Sequence, residues 1–179
     1  MNTLSTFLNR IASRTSLLII LALYFLFVGY ILGNAENKIK ELAGKSIGVI
    51  DLTFGFNPQK TLSMVAGYGD SARFYYARTE MTTDIIYPIV YAFLFGIILS
   101  LLHRGTTYAW LNILPFVCLF FDYLENVTIV ILLITYPQQS LSIATLCEIF
   151  KLMKWLTLGT VIFLVILGFI PMTIKLIKK

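Results

Sequence analysis

Two carboxylates and one amide interrupt a long apolar stretch of this sequence. Asp122, Glu125 and Asn126 lie in a run that carries no other charge from Ile113 to Ile134. Their spacing of three and four residues places the polar groups on one face of a helix. Because a carboxylate inside a membrane is costly, that face points to protein or water and is a candidate functional site. Asp122 and Glu125 are the candidate residues for acid–base catalysis.

A second stretch brings tyrosines to the depth of these carboxylates. From residue 73 to residue 91, polar and aromatic residues recur at helical spacing along one stripe. A short turn joins this stretch to the next, so residues equally far from the turn lie level at 1.5 Å of rise per residue. Tyr91 is therefore predicted to lie beside Asp122. Tyr87 is predicted to lie beside Glu125.

Two lysines of the last apolar stretch reach the same layer. By the same counting, Lys151 is predicted to face Glu125 and Asn126, and Lys154 to face Asp122. Opposite charges at one depth attract each other, and this attraction offsets the energetic cost of burying them. Such a layer is either a structural ion-pair network or a binding site, and the sequence leaves both interpretations open.

As a binding site, the layer suits a small molecule or a lipid headgroup that arrives from outside. Carboxylates and the amide supply acceptors, basic side chains bind phosphate or carboxylate, and tyrosines form amphipathic walls. The predicted ligand-binding residues are Arg73, Tyr76, Asp84, Tyr87, Tyr91, Asp122, Glu125, Asn126, Lys151 and Lys154.

The composition is that of an integral membrane protein. Hydrophobic residues make up 58% of the chain and charged residues 13%, with a mean hydropathy of +0.84. Four apolar stretches approach the roughly 20 residues that a spanning helix needs. They predict transmembrane helices at about 17–33, 85–103, 110–135 and 141–171, within one domain covering 1–179.

The charge distribution predicts the orientation of the chain. The N-terminal tail, the turn after the second apolar stretch and the C-terminal tail carry basic residues and no acidic ones, whereas segment 34–84 mixes both signs. By the positive-inside rule, both termini are expected to be cytoplasmic. The expected location is a plasma or inner membrane. Because the basic residues are explained by topology, nucleic acid is not expected as a partner. The basic residues concerned are Arg10, Arg14, Arg104, Lys175, Lys178 and Lys179.

Segment 34–84 is too apolar and too long for a bare loop. Asn57 and Pro58 form an N-cap and first-position pair that opens a short helix, which Gly67 ends. We expect this region to cover the outward-projecting tip of the last two helices. The predicted fold is therefore all-α, a four-transmembrane-helix bundle with an extracytoplasmic cap formed by the 34–83 segment.

The second transmembrane helix is predicted to begin early and to bend. Asp70 is a suitable N-cap, and nothing after Ser71 breaks a helix before Pro88. Pro88 cannot donate to the Asp84 carbonyl, so a bend and a free acceptor are expected there. Pro115 predicts a similar bend in the third helix.

Motifs of common enzymes are absent from the sequence. There is no Gly-x-Ser-x-Gly, no phosphate-binding glycine loop and no His-Glu-x-x-His, and the single histidine, His103, lies about 20 Å from the layer by helical rise. Cys118 and Cys147 both lie in apolar helices and indicate no disulfide framework. We expect no metal site and no cofactor.

A set of residue spacings between about residues 50 and 160 forms one pattern. Its residues are Gly69, Arg73, Tyr76, Asp84, Pro88, Tyr91, Asp122, Glu125, Asn126, Lys154 and Trp155. This pattern resembles that of a family of small four-transmembrane-helix membrane proteins with no known activity. The resemblance implies a fold and no function.

Three functional hypotheses follow from the sequence. The first is binding of a small molecule or lipid headgroup at the polar layer, with transport as an extension. The second is a membrane-embedded enzyme that acts on a lipid or isoprenoid by carboxylate acid–base chemistry. The third is a structural or accessory membrane subunit. Expected partners are membrane lipids and the ligand itself, and self-association into a homo-oligomer is left open.

Overall fold

The computed structural model describes the backbone of residues 3–177 and the side chains of residues 3–169. The described residues form helices joined by turns and loops, without a β-strand. Lys178 and Lys179 lie outside the described residues, as does the side chain of Lys175.

Among the described residues, four helical segments are long and apolar enough to span a membrane. They are Arg14–Ala43, Gly69–Leu102, Ala109–Ile134 and Leu141–Phe169. The chain is thus helical, with the length and composition of a multi-pass membrane protein, as the sequence predicted.

The first spanning segment extends farther than its apolar stretch. Helix α1 covers Thr3–Ile11, and α2, Arg14–Leu26, continues through a π-helical turn at Phe27–Ile31 into α3, Leu32–Ala43. The helix therefore continues beyond residue 33, the predicted end of the span, because a drop in hydropathy does not itself break a helix. The break comes at Gly44, whose φ of 62° is left-handed.

The short helix α4, Pro58–Gly67, is confirmed as predicted. The Asn57 side chain accepts a hydrogen bond of 2.9 Å from the Lys60 amide, and proline occupies the first turn. Both features satisfy or remove amide donors that lack a partner within the helix.

The second spanning segment is divided, which the sequence did not predict. Two residues, Met81 and Thr82, separate helix α5, Gly69–Glu80, from α6, Thr83–Leu102. Thr82 leaves the helical region, with φ −126° and ψ −74°, and its hydroxyl donates to the Arg78 carbonyl at 2.7 Å. This local side-chain hydrogen bond competes with the helix. Asp70 lies in the first turn of α5 and pairs with Arg73, so its prediction as an N-cap is also wrong.

The last two spanning helices form a hairpin. A 3₁₀ turn at Ala109–Ile113 precedes α7, Leu114–Ile134, and α8 covers Leu141–Ile177 and packs along α7. Pro115 lies in the first turn of α7. The bend predicted there is wrong, because a first-turn amide has no helical acceptor to lose.

The basic N-terminal region and the α6–α7 turn meet at one end of the bundle. Arg104 donates to the carbonyls of Asn9 and Ala12 at 3.1 and 2.9 Å. Gly168 of α8 lies against Leu102 and His103. This placement is the one that the positive-inside prediction requires, and the side of the membrane stays a prediction.

At the opposite end, the segment between the first two spanning helices packs on the α7–α8 hairpin. Buried side chains of the loop before α4 and of α4 and α5 form one core cluster with Ile129, Leu133 and Ala144. The apolar tip is thus partly covered by residues of the 34–83 segment. Its extracytoplasmic position stays a prediction.

Candidate functional site

A cavity of about 340 Å³ lies between the spanning helices and the loop before α4. Its wall combines residues from α2, α3, that loop, α5, α6, α7 and α8. Seven of the ten predicted ligand-binding residues line it, namely Tyr76, Asp84, Tyr87, Tyr91, Asp122, Asn126 and Lys154. Tertiary packing therefore brings most of the predicted layer around one space.

The contact predicted between α6 and α7 is present. The Tyr91 hydroxyl donates to Asp122 Oδ2 at 2.9 Å, and both residues are buried. The same hydroxyl lies 3.5 Å from the Cys118 sulfur. Tyr91 therefore stabilises the Asp122 carboxylate at the cavity wall.

Tyr87 belongs to an aromatic wall rather than to the environment of Glu125. Its ring stacks on Tyr24 and Phe27, with centroid distances of 6.1 and 6.2 Å, and meets the Tyr91 ring edge-to-face at 5.4 Å. The predicted neighbour, Glu125, lies on α7 behind the cavity wall and does not line the cavity. The rings instead join α2 to α6 along one side of the cavity.

Lys154 forms a buried ion pair with Glu125. Glu125 is fully buried, and Lys154 is 8% exposed. The Lys154 ammonium also lies 5.7 Å from the Trp155 ring centroid. The sequence placed Lys154 beside Asp122, and both residues line the cavity. The ion-pair partner of Lys154 is Glu125, one turn farther along α7.

Lys151 does not face Glu125, so that prediction is wrong. Its ammonium donates to Glu148 and to the Thr53 hydroxyl, each at 2.6 Å. Glu148 also accepts from the Thr61 hydroxyl at 2.6 Å and from the Asn57 amide at 2.9 Å. Lys151 and Glu148 therefore attach α4 and the loop before it to α8, outside the cavity.

Arg73 also lies outside the cavity. It donates to the Val65 carbonyl at 3.0 Å, pairs with Asp70 and lies 3.9 Å from the Tyr136 ring centroid. The guanidinium thus links α5 to α4 and to the α7–α8 turn. Its role as a ligand-binding residue stays a prediction without cavity contact to support it.

Asp51 is a cavity residue that sequence reasoning missed. The Tyr76 hydroxyl donates to Asp51 Oδ1 at 2.7 Å and accepts from the Ile50 amide at 2.8 Å. This places the loop, and its carboxylate, over the cavity. The available signal was a single charge inside the apolar run from Ile47 to Phe56.

Tyr68 contacts the same loop at Gly48. Its hydroxyl donates to the Gly48 carbonyl at 2.7 Å. Burial raises the pKa of Tyr68 well above its ordinary value, and the nearby charges of Asp51 and Glu80 raise it further. The hydroxyl therefore stays protonated and continues to donate at physiological pH.

Glu80 is the second missed residue, and it has no partner among the described residues. It is 2% exposed, lines the cavity, and neither carboxylate oxygen has a hydrogen-bond or ion-pair partner. Its helical spacing with Asp84 places it on the polar stripe from residue 73 to residue 91, although it was not among the predicted ligand-binding residues. A buried carboxylate without a partner is rare in folded proteins because its burial is energetically unfavourable.

The cavity wall is strongly acidic although the chain carries a net charge of +5. Lys154 is the one Lys or Arg residue on the described wall, and Glu125 already pairs with it. Within residues 3–169, no three His, Cys, Asp or Glu side chains group closely enough to hold a metal ion. The acidic residues of the wall are Glu36, Asp51, Glu80, Asp84 and Asp122.

The chain matches no protein-family model, no curated protein and no solved structure.

Proposed function

We propose that this protein binds a small molecule or a lipid headgroup in the cavity between its spanning helices. The observation that carries the proposal is Glu80, a buried carboxylate that lines the cavity without a partner. Polar groups buried in a stable fold are normally satisfied, so an unpartnered carboxylate at a cavity wall is available to bind a polar group of a ligand.

The size and surface of the cavity agree with this proposal. At roughly 30 Å³ for each water molecule, 340 Å³ corresponds to the volume of about eleven waters. Carboxylates face this space together with the rings of Tyr24, Tyr87 and Trp155. A few polar groups on an aromatic wall suit a compact ligand that is partly apolar.

The proposed binding site lies near the outer face of the membrane. The end of the bundle that contains Arg10, Arg14 and Arg104 is then cytoplasmic, and the loop at Asp51 closes the cavity from outside. The 34–83 segment acts as the extracytoplasmic cap.

A glycine pair on the first spanning segment provides a sharp test. Gly33 lines the cavity, and a Cβ atom added there meets nothing within 4 Å. Gly29 lies one turn earlier, has equally open space and does not line the cavity. Gly33→Leu should therefore fill the site, whereas Gly29→Leu is a matched control.

The measurement is the thermal midpoint of detergent-purified protein with and without a total lipid extract of the host. We expect the extract to raise the midpoint of wild type and Gly29→Leu and to leave Gly33→Leu unchanged. An equal response of both variants would place binding elsewhere. No response from any of the three proteins would favour a structural role for the buried charges.

An enzyme acting on a lipid or isoprenoid is the second candidate. The observation that favours it is that Asp122 and the unpaired Glu80 both reach the same cavity, where a carboxyl group exchanges protons with a bound substrate. Incubating the protein with host lipids and analysing them by mass spectrometry tests this role. A new product that disappears in Asp122→Asn, while lipid binding persists, would establish catalysis.

A further inference from the structure

We propose that the ligand of this cavity is a cationic amphiphile. Its protonated amine pairs with Glu80, and its hydrocarbon chain lies in a groove between the α5–α6 junction and α7. This inference rests on the proposed binding function and specifies the class of ligand. It follows from two features, the charge of the cavity wall and a second cavity that shares residues with the first.

The carboxyl groups of the wall favour a positive partner. Asp51, Glu80, Asp84 and Asp122 face the cavity, and none of them forms an ion pair among the described residues. Asp51 and Asp122 each accept a tyrosine hydroxyl, whereas Glu80 accepts nothing. A buried carboxyl group without a counter-charge retains a proton because the charged form is costly, and an ammonium group placed beside it stabilises the ionised form.

The partner is an organic cation rather than a metal ion. Within residues 3–169, the acidic side chains are too dispersed for three of them to ligate one ion. The wall instead combines dispersed carboxylates with the rings of Tyr24, Tyr87 and Tyr91. An ammonium group with attached carbon atoms can contact both kinds of surface.

A second cavity of about 380 Å³ lies beside this site and opens to the outside of the bundle. Glu80 and Asn126 line both cavities and thus form the partition between them. Apart from these two residues and Tyr123, the groove is apolar, and Met81, Ile85 and Val127 are each exposed at its edge. The remaining residues of the groove are Val130 and Ile131.

This arrangement orients an amphiphile in one way. The apolar groove opens at the surface of the bundle beside the exposed Met81, Ile85 and Val127, and the buried Glu80 lines its inner side. A hydrocarbon chain in the groove therefore directs its headgroup to Glu80. An amine complements this carboxylate, whereas a phosphate or carboxylate headgroup would be repelled by it.

Three amphiphiles of equal chain length test the charge of the ligand. Octylamine, octanol and octanoate are each titrated into wild type, Glu80→Gln and Glu41→Gln in neutral detergent, and the apparent Kd is measured by the shift of the thermal midpoint. Glu41 is the control because its side chain is 68% exposed and pairs with Lys38, away from both cavities. We expect octylamine to bind wild type and Glu41→Gln at least tenfold more tightly than Glu80→Gln, a difference of about 1.4 kcal/mol.

A second pair of variants tests the groove and leaves Glu80 intact. Val130→Trp should fill the groove and weaken octylamine binding at least tenfold. Phe163→Trp, at an exposed position of α8 outside both cavities, should leave binding unchanged. Equal affinity of these two variants for octylamine would overturn the placement of the chain.

The outcomes separate this inference from the proposed function. If octanol or octanoate binds wild type as tightly as octylamine, the ligand is not cationic, and the inference fails although the cavity still binds a ligand. If neither the amphiphiles nor the host lipid extract stabilises wild type, the proposed function fails together with the inference.

Discussion

The Asn126 side chain donates a hydrogen bond of 3.0 Å to the backbone carbonyl of Asp84. In an uninterrupted helix this carbonyl would accept from the amide of residue 88, which is proline and has no N–H. An amide on α7 thus replaces the donor that α6 lacks. The sequence predicted the free acceptor, and the structure identifies what satisfies it.

Removing this donor should destabilise the fold, and the loss should depend on Pro88. We expect Asn126→Ala to lower the free energy of unfolding by about 1 kcal/mol, because a half-buried carbonyl loses its partner. In a Pro88→Ala background the restored amide can donate to Asp84, so the same substitution should cost less. A double-mutant cycle of unfolding in detergent measures the difference. Equal losses in both backgrounds would contradict this explanation.

The Glu148–Lys151 pair should be a principal attachment of the cap to the bundle. Both side chains are 2% exposed, so Glu148→Ala leaves a buried ammonium without its counter-charge and removes two further hydrogen bonds. We expect a loss of about 3–5 kcal/mol in unfolding free energy. The exposed pair between Lys38 and Glu41 is the control, and Glu41→Ala should cost no more than about 1 kcal/mol. Similar losses in the two variants would show that burial is not decisive.

The Lys154–Glu125 pair should show the asymmetry of buried charges. Lys154→Met leaves the fully buried Glu125 carboxylate unpaired and should cost about 3–5 kcal/mol in unfolding free energy. Adding Glu125→Gln removes the orphaned charge, so the double variant should be more stable than Lys154→Met alone. Denaturant unfolding of the three proteins tests this expectation. A double variant less stable than the single one would rule it out.

Tyr68 should make stability decline at alkaline pH. Its pKa is raised in the folded state, so above the ordinary tyrosine value of about 10 the unfolded chain loses this proton before the native one does. The unfolding free energy should therefore fall as pH rises above about 10, with a contribution of up to about 1.4 kcal/mol per pH unit. Tyr68→Phe should show a shallower decline. Identical slopes for wild type and variant would exclude this contribution.

The predicted orientation can be tested by thiol labelling in intact cells. Cys118 and Cys147 are 1% and 0% exposed, so they should not react in the folded protein. Thr106 and Gln138 are exposed in turns at opposite ends of the bundle. A membrane-impermeant reagent should label Gln138→Cys from outside and Thr106→Cys only after permeabilisation. The reverse pattern would invert the topology.

Much of the architecture follows from local sequence properties. Apolar length fixed the spanning segments, and Asn57 with Pro58 fixed the start of α4, because both signals act within a few residues. The Tyr91–Asp122 contact was also predictable, since a short turn and a constant helical rise determine which residues lie level. The polar layer was thus visible before any packing was known.

Tertiary packing determined the hydrogen-bond and ion-pair partners of these residues. The depth of a residue along a helix does not determine the direction in which its side chain points around the helix axis. Lys151 therefore lies level with Glu125 in the sequence count but bonds Glu148 and Thr53. The loop at Asp51 has no helical period, and its position depends on Tyr76, far along the chain. Which side chains surround Glu80 depends on how several helices pack together, so its lack of a partner could not be read from the sequence. The sequence by itself therefore determined a charged layer in a membrane bundle, and only packing made that layer an acidic cavity in which the buried Glu80 carboxylate has no partner among the described residues.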